Sequence, residues 1–224
     1  MTITSKDLPS VLVSLYAQRT GTLMAPVFGV VVRTGRGVYA CSVAHAVDDR
    51  DDAFAVWGGI HPDVARSYGL ESAARCLADV DLRHPQPGII YDEEADLMAV
   101  PLGGYEGASL DAYADFVEGD VGVLQPALIT FPDHEPDDHD ILQRGANGIA
   151  GLVSWEDSRH CVVSVEGSMG MSGSPVLIAR GGALSCIGLY TGTRRVSDLT
   201  PQAAQSLAQV AKMGAFVRNL DGQI

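Results

Sequence analysis

Short apolar runs bounded by glycine, proline or charged residues recur along the chain, at 11–16, 27–32, 38–44, 97–100, 121–124, 127–132, 149–153, 161–165, 176–178 and 186–193. Valine, isoleucine and leucine dominate them, and turn signals such as Thr34-Gly35-Arg36-Gly37 separate them. Many short β-prone runs with glycine-containing connections predict an all-β barrel or sandwich architecture rather than alternating strands and helices. Two regions break the pattern. The span 62–77 has only loose periodicity and reads as a helix or an irregular insert. The tail opens with Thr200-Pro201, an N-cap followed by proline at the first helical position. Leu207, Val210, Ala211, Gly214 and Val217 then fall at helical spacing, which predicts a terminal helix packed on the core.

The stretch 103–119 is rich in glycine, alanine and aspartate and reads as a linker. It divides the chain into an N-terminal half, 8–105, and a C-terminal half, 117–224. With 224 residues, 46% of them hydrophobic, the chain is large enough to bury a sizeable core as two closely packed halves.

Candidate chemistry is concentrated in Glu166-Gly167-Ser168-Met169-Gly170-Met171-Ser172-Gly173-Ser174-Pro175. Glycines on both sides of Ser172 let backbone N–H groups turn toward a ligand, as an oxyanion hole requires. Alone, such a segment is a turn between strands. A serine nucleophile also needs a base and a group that orients the base. His45, at the end of the run 38–44, is the candidate base, and Asp96, opening the run 97–100, is the candidate orienting carboxylate, with Asp92 as its substitute four residues upstream. The chain order is His, Asp, Ser. That is the chymotrypsin order and differs from those of the α/β-hydrolases and the subtilisins.

The segments 42–47, 96–100 and 170–175 resemble the three signatures of the chymotrypsin-like (trypsin-like) serine peptidases, closest in style to the disulfide-free bacterial ones, over roughly residues 10–195. The resemblance implies two six-stranded antiparallel β-barrels with a C-terminal helix, and a site in the cleft between them. It implies that Ser172 attacks a peptide carbonyl, that His45 carries the proton, that Asp96 holds the imidazole, and that the N–H groups of Gly170 and Ser172 bind the oxyanion. It further places Thr191, Gly192 and Thr193 beside extended substrate, by strand addition. The position six before the nucleophile is Glu166, which would lie at the base of a side-chain pocket and favour Arg or Lys before the cleaved bond. Arg159 is its alternative partner. Met171 stands where zymogen-derived relatives commonly carry an aspartate, so no N-terminal cleavage is expected to be needed. An inactive binding module on the same barrels and an esterase are the competing functions.

Composition narrows the partners. A formal net charge of −13 argues against nucleic acid or an anionic membrane surface and favours a protein or peptide partner, including a basic one. A regulatory protein partner is compatible with this. Cys41, Cys76, Cys161 and Cys186 show no metal-ligand spacing and are expected to be free thiols. The first residues lack the basic and apolar regions of a signal peptide, and no apolar stretch is long enough to span a bilayer, so a cytoplasmic location is expected. The acidic stretch 132–140 reads as a solvated loop rather than a metal site, and no cofactor is expected.

Overall fold

The computed structural model describes residues 8–84, 88–136, 141–168, 170–195 and 206–222. Nearly all of the regular structure is β, in two sheets. After a helical turn, α1 (Leu8–Val11), the first sheet collects β1 (Leu12–Arg19), β2 (Thr22–Leu23), β3 (Val27–Thr34), β4 (Gly37–Val43) and β5 (Ala53–Gly58). The chain then forms α2 (Pro62–Ser67), the short β6 (Glu71–Ser72) and β7 (Arg75–Asp81). The next strands are β8 (Ile90–Asp92), β9 (Leu97–Pro101) and β10 (Leu110–Asp111). The strand order is β7-β5-β1-β3-β4-β9-β8, with β2 on β1 and β10 on β3. Among the described residues the two ends of this path do not pair, so the first sheet is a half-barrel where a closed barrel was expected.

The second sheet contains β11 (Pro126–Pro136), β12 (Ile141–Glu156), β13 (His160–Glu166), β14 (Pro175–Arg180), β15 (Ala183–Arg195) and β16 (Ser206–Lys212). Its order, β11-β14-β15-β16-β13-β12, closes through β11–β12 pairing into a six-stranded barrel, with β6 added in parallel at β12. A short helix, α3 (Gly214–Asn219), follows.

Side chains of the first sheet alternate between two cores, which explains why its strands read as continuous apolar runs rather than one-sided ones. Val30, Val32, Cys41, Val43, Leu97 and Ala99 face one core. Their strand neighbours Val31, Ala40, Met98 and Val100 face the other, with Leu15 and Phe54. The first of these cores is shared with the second sheet, through Leu177, Cys186 and Leu189, and with the α3 segment, through Met213 and Phe216. That shared apolar mass fixes one sheet against the other, and with it the parts of the site each carries.

Several sequence expectations need correction. Residues 206–212 form the strand β16, not a helix, because that strand hydrogen-bonds β13 on one side and β15 on the other and so closes the barrel. The terminal helix is confined to Gly214–Asn219, and Thr200-Pro201 lies outside the described residues. The span 62–77 divides into α2, β6 and the start of β7. The acidic stretch is not a loop from its beginning: residues 132–136 continue β11, paired with β12, and the rest of it lies outside the described residues. The glycine-rich stretch 103–119, read as the linker between the halves, bonds to both sheets. Ala112 N–H donates to Arg33 O at 3.0 Å in the first sheet, and Val117 N–H donates to Cys186 O at 2.9 Å in the second.

Candidate active site

Antiparallel pairing of β4 with β9 places Val43 opposite Leu97, and the next residue outward on each strand continues the contact. Ala44 N–H donates to Asp96 O at 3.0 Å, and the chain then enters a single 3-10 turn, Ala44–Ala46, that carries His45. Asp96 adopts φ +57°, a left-handed conformation that aspartate tolerates better than most residues. Its carboxylate receives two bonds from His45: the main-chain N–H at 2.9 Å on Oδ1, and Nδ1 at 2.5 Å on Oδ2. Since a carboxylate only accepts, Nδ1 is the donor to it, and in the neutral imidazole that leaves the lone pair on Nε2. Nε2 lies 3.1 Å from Ser172 Oγ, within reach to take the hydroxyl proton.

Asp92 is occupied elsewhere. Its Oδ1 accepts from Ala95 N–H at 3.0 Å, tightening the turn that delivers Asp96.

Ser172 is held from both sheets. Its carbonyl accepts from Phe28 N–H of β3 at 2.7 Å. The following residue, Gly173, donates to Tyr190 O of β15 at 2.8 Å, and Tyr190 N–H donates to Ser174 O at 2.8 Å. Gly173 has φ +80°, and a Cβ there would stand 1.7 Å from Phe28 O, so only glycine fits. Ser42, fully buried on β4, donates from Oγ to the same Phe28 carbonyl at 2.5 Å. Sequence reading missed this role of Ser42, because a serine inside an apolar strand carries no signal of what it will meet across a sheet boundary. Met171 is 7% exposed and packs in the core of the closed barrel, anchoring the turn from below.

Two antiparallel β units, a half-barrel and a closed six-stranded barrel, thus meet where one supplies the His and Asp and the other the Ser. The fold is chymotrypsin-like. Among solved structures the chain is similar to catalytically active tobacco etch virus protease complexed with product, at TM-score 0.63 and 10% identity, covering 100% of this chain and 82% of that one. It is also similar to human heparin binding protein, at TM-score 0.58 and 12% identity, covering 99% and 94%. No family model and no curated protein matches the sequence.

On this chymotrypsin-like frame the remaining candidate residues separate. Gly170 has φ +86° with open space where a Cβ would be, which leaves its surface accessible beside Ser172. Thr191, Gly192 and Thr193 continue β15 past the last residue paired with β14. Among the described residues β15 pairs there only with β16, and the residue just before, Tyr190, bonds Gly173 and Ser174 of the Ser172 turn. Glu166 ends β13 exposed to solvent instead of lying buried at the base of a pocket. Nor does Arg159 pair with it: Arg159 bonds Glu94. All four cysteines are free. Burial pushes Cys161 and Cys186 up to about 12 and Cys41 higher still, so these thiols are inert core residues. Among the described residues no cluster of His, Cys, Asp and Glu is placed to hold a metal, and no helix is long and apolar enough to cross a membrane.

Proposed function

We propose that this protein is a serine endopeptidase working through a His45–Asp96–Ser172 triad and an acyl-enzyme. The observation that carries this is the continuous line from Asp96 Oδ2 through His45 Nδ1 and Nε2 to Ser172 Oγ, at 2.5 and 3.1 Å. His45 takes the Ser172 proton as Oγ bonds the peptide carbonyl carbon, and it returns that proton to the leaving amine. Asp96 keeps the imidazole in the productive tautomer and stabilises the imidazolium. The N–H groups of Gly170 and Ser172 are assigned to the developing oxyanion. Water, activated by the same imidazole, then releases the acyl group. Extended substrate is assigned to the edge of β15 at Thr191, Gly192 and Thr193, unpaired among the described residues, where main-chain hydrogen bonding would extend the sheet.

The net charge of −13 favours neutral or basic polypeptides and disfavours a polyanionic ligand such as heparin. The free cysteines suit a reducing compartment and the disulfide-free type of this fold, and we assign the protein to the cytoplasm on that ground. The fold by itself does not select catalysis, since one similar structure is named for binding heparin. The aligned side chains of His45, Asp96 and Ser172 support catalysis over binding alone. The test is labelling by a fluorophosphonate probe: the native protein is expected to label and Ser172→Ala to stay unlabelled. Absence of labelling in folded native protein would leave a binding module as the better reading.

A further inference from the structure

A peptide lying along the free edge of β15 with its carbonyl carbon at Ser172 Oγ directs the preceding side chain between β15 and the segment that leads to the nucleophile. That space is already filled. A Cβ on Gly167 would stand 2.4 Å from Thr193 Cγ2 and 2.5 Å from Tyr190 Oη, so both side chains lie directly against the Gly167 backbone. Tyr190 is 2% exposed, and its hydroxyl donates to Ser168 O at 3.4 Å, long for such a bond. Its position relative to the nucleophile is fixed, because its carbonyl and N–H are bonded to Gly173 and Ser174, both at 2.8 Å.

We propose that Tyr190 and Thr193 close the side-chain pocket beside Ser172, so that the enzyme accepts only Gly, Ala or Ser immediately before the cleaved bond. This rests on the peptidase reading above. A longer side chain would have to displace a packed aromatic ring whose surroundings are at core density, and such overpacking is costly. Glu166 lies on the solvent side, exposed, and is not the base of a cavity that an Arg or Lys side chain enters. Size therefore sets specificity here, and charge does not.

The experiment measures covalent labelling of Ser172 in the intact protein by peptidyl diphenyl phosphonates carrying Ala, Leu, Phe, Lys or Glu next to phosphorus. A fluorophosphonate without a side chain serves as reference. In each reaction Ser172 Oγ bonds phosphorus, the leaving group departs (phenoxide or fluoride), and the hydroxyl proton passes to His45. The Ala probe is expected to react at least about tenfold faster than the others, the scale on which a hydrophobic pocket discriminates by size. Thr193→Gly and Tyr190→Ala should raise the Leu and Phe rates relative to Ala, whereas Tyr190→Phe should leave the ratios unchanged. Faster reaction with Leu, Phe, Lys or Glu in the native protein overturns the closed pocket while leaving the peptidase reading intact. A shift of the ratios in Tyr190→Phe would overturn it too, by showing that the hydroxyl rather than size sets the preference. Failure of the reference probe on folded protein removes both. Should Tyr190→Ala fail to fold, Thr193→Gly, at an exposed residue, decides alone, and unchanged ratios there overturn the proposal.

Discussion

The main chain and the ring of His45 grip one carboxylate, that of Asp96, with His45 N–H on Oδ1 at 2.9 Å and Nδ1 on Oδ2 at 2.5 Å. Two bonds from one residue fix the imidazole in position and in tautomer, which a single contact to an exposed carboxylate would not. Asp96→Asn should therefore lower kcat by about 10⁴-fold through the wrong tautomer, while KM changes little. Asp92→Asn, which removes an acceptor from a turn and none from the imidazole, should retain most activity. Steady-state kinetics of the two variants decide this, and a nearly silent Asp96→Asn would sink the assignment.

Ser172→Ala and His45→Ala are each expected to abolish peptide hydrolysis without loss of structure, since neither side chain is buried in a core. Circular dichroism and thermal unfolding alongside the assay separate chemistry from folding. Native-like melting with no turnover is the expected pair of results.

The two glycines flanking the nucleophile should differ sharply. Gly170→Ala meets open space and carries only the left-handed conformational penalty, about 1–2 kcal/mol. Gly173→Ala drives a methyl into Phe28 O, where the backbone of β3 cannot yield without breaking the Phe28–Ser172 bond. Its loss should exceed that of Gly170→Ala by at least about 1 kcal/mol, or prevent folding. Urea unfolding of both variants measures the difference.

Glu156 gives a pH-dependent stability test away from the site. Burial alone would raise its pKa, but Lys212 Nζ and the N–H groups of Val121 and Gly122 outweigh that and hold it below the ordinary carboxylate value. A depressed folded-state pKa contributes stability that is present above the unfolded pKa and lost as pH falls through the folded one. Glu156→Gln should thus destabilise at neutral pH by about 1–3 kcal/mol, with the gap to native protein shrinking in the acid range. Unfolding at pH 7 and at pH 3 checks the sign.

Met171, packed in the barrel core, offers no carboxylate for a new N-terminal amine to pair with. Fluorophosphonate-labelled protein should accordingly retain its untrimmed N-terminus on sequencing. An obligatory trimmed start in the labelled fraction would contradict this.

Local patterns in the sequence determined the β-class and singled out His45, Asp96 and Ser172, which the fold brings within hydrogen-bond reach, because each lies next to an apolar run or between glycines whose geometry is set within a few residues. Periodicity failed at 206–212, where spacing compatible with a helix was overridden by two ladders of interstrand bonds that only the assembled barrel supplies. Composition marks 103–119 as a linker but not its anchors, because the partners, Arg33 and Cys186, are far away in sequence. The pocket was decided by tertiary structure alone. Counting back six residues located Glu166, but whether a side chain fits beside Ser172 depends on Tyr190 and Thr193 arriving from another strand to lie against Gly167. Contacts of that kind follow from register between distant strands, which no local window of sequence contains.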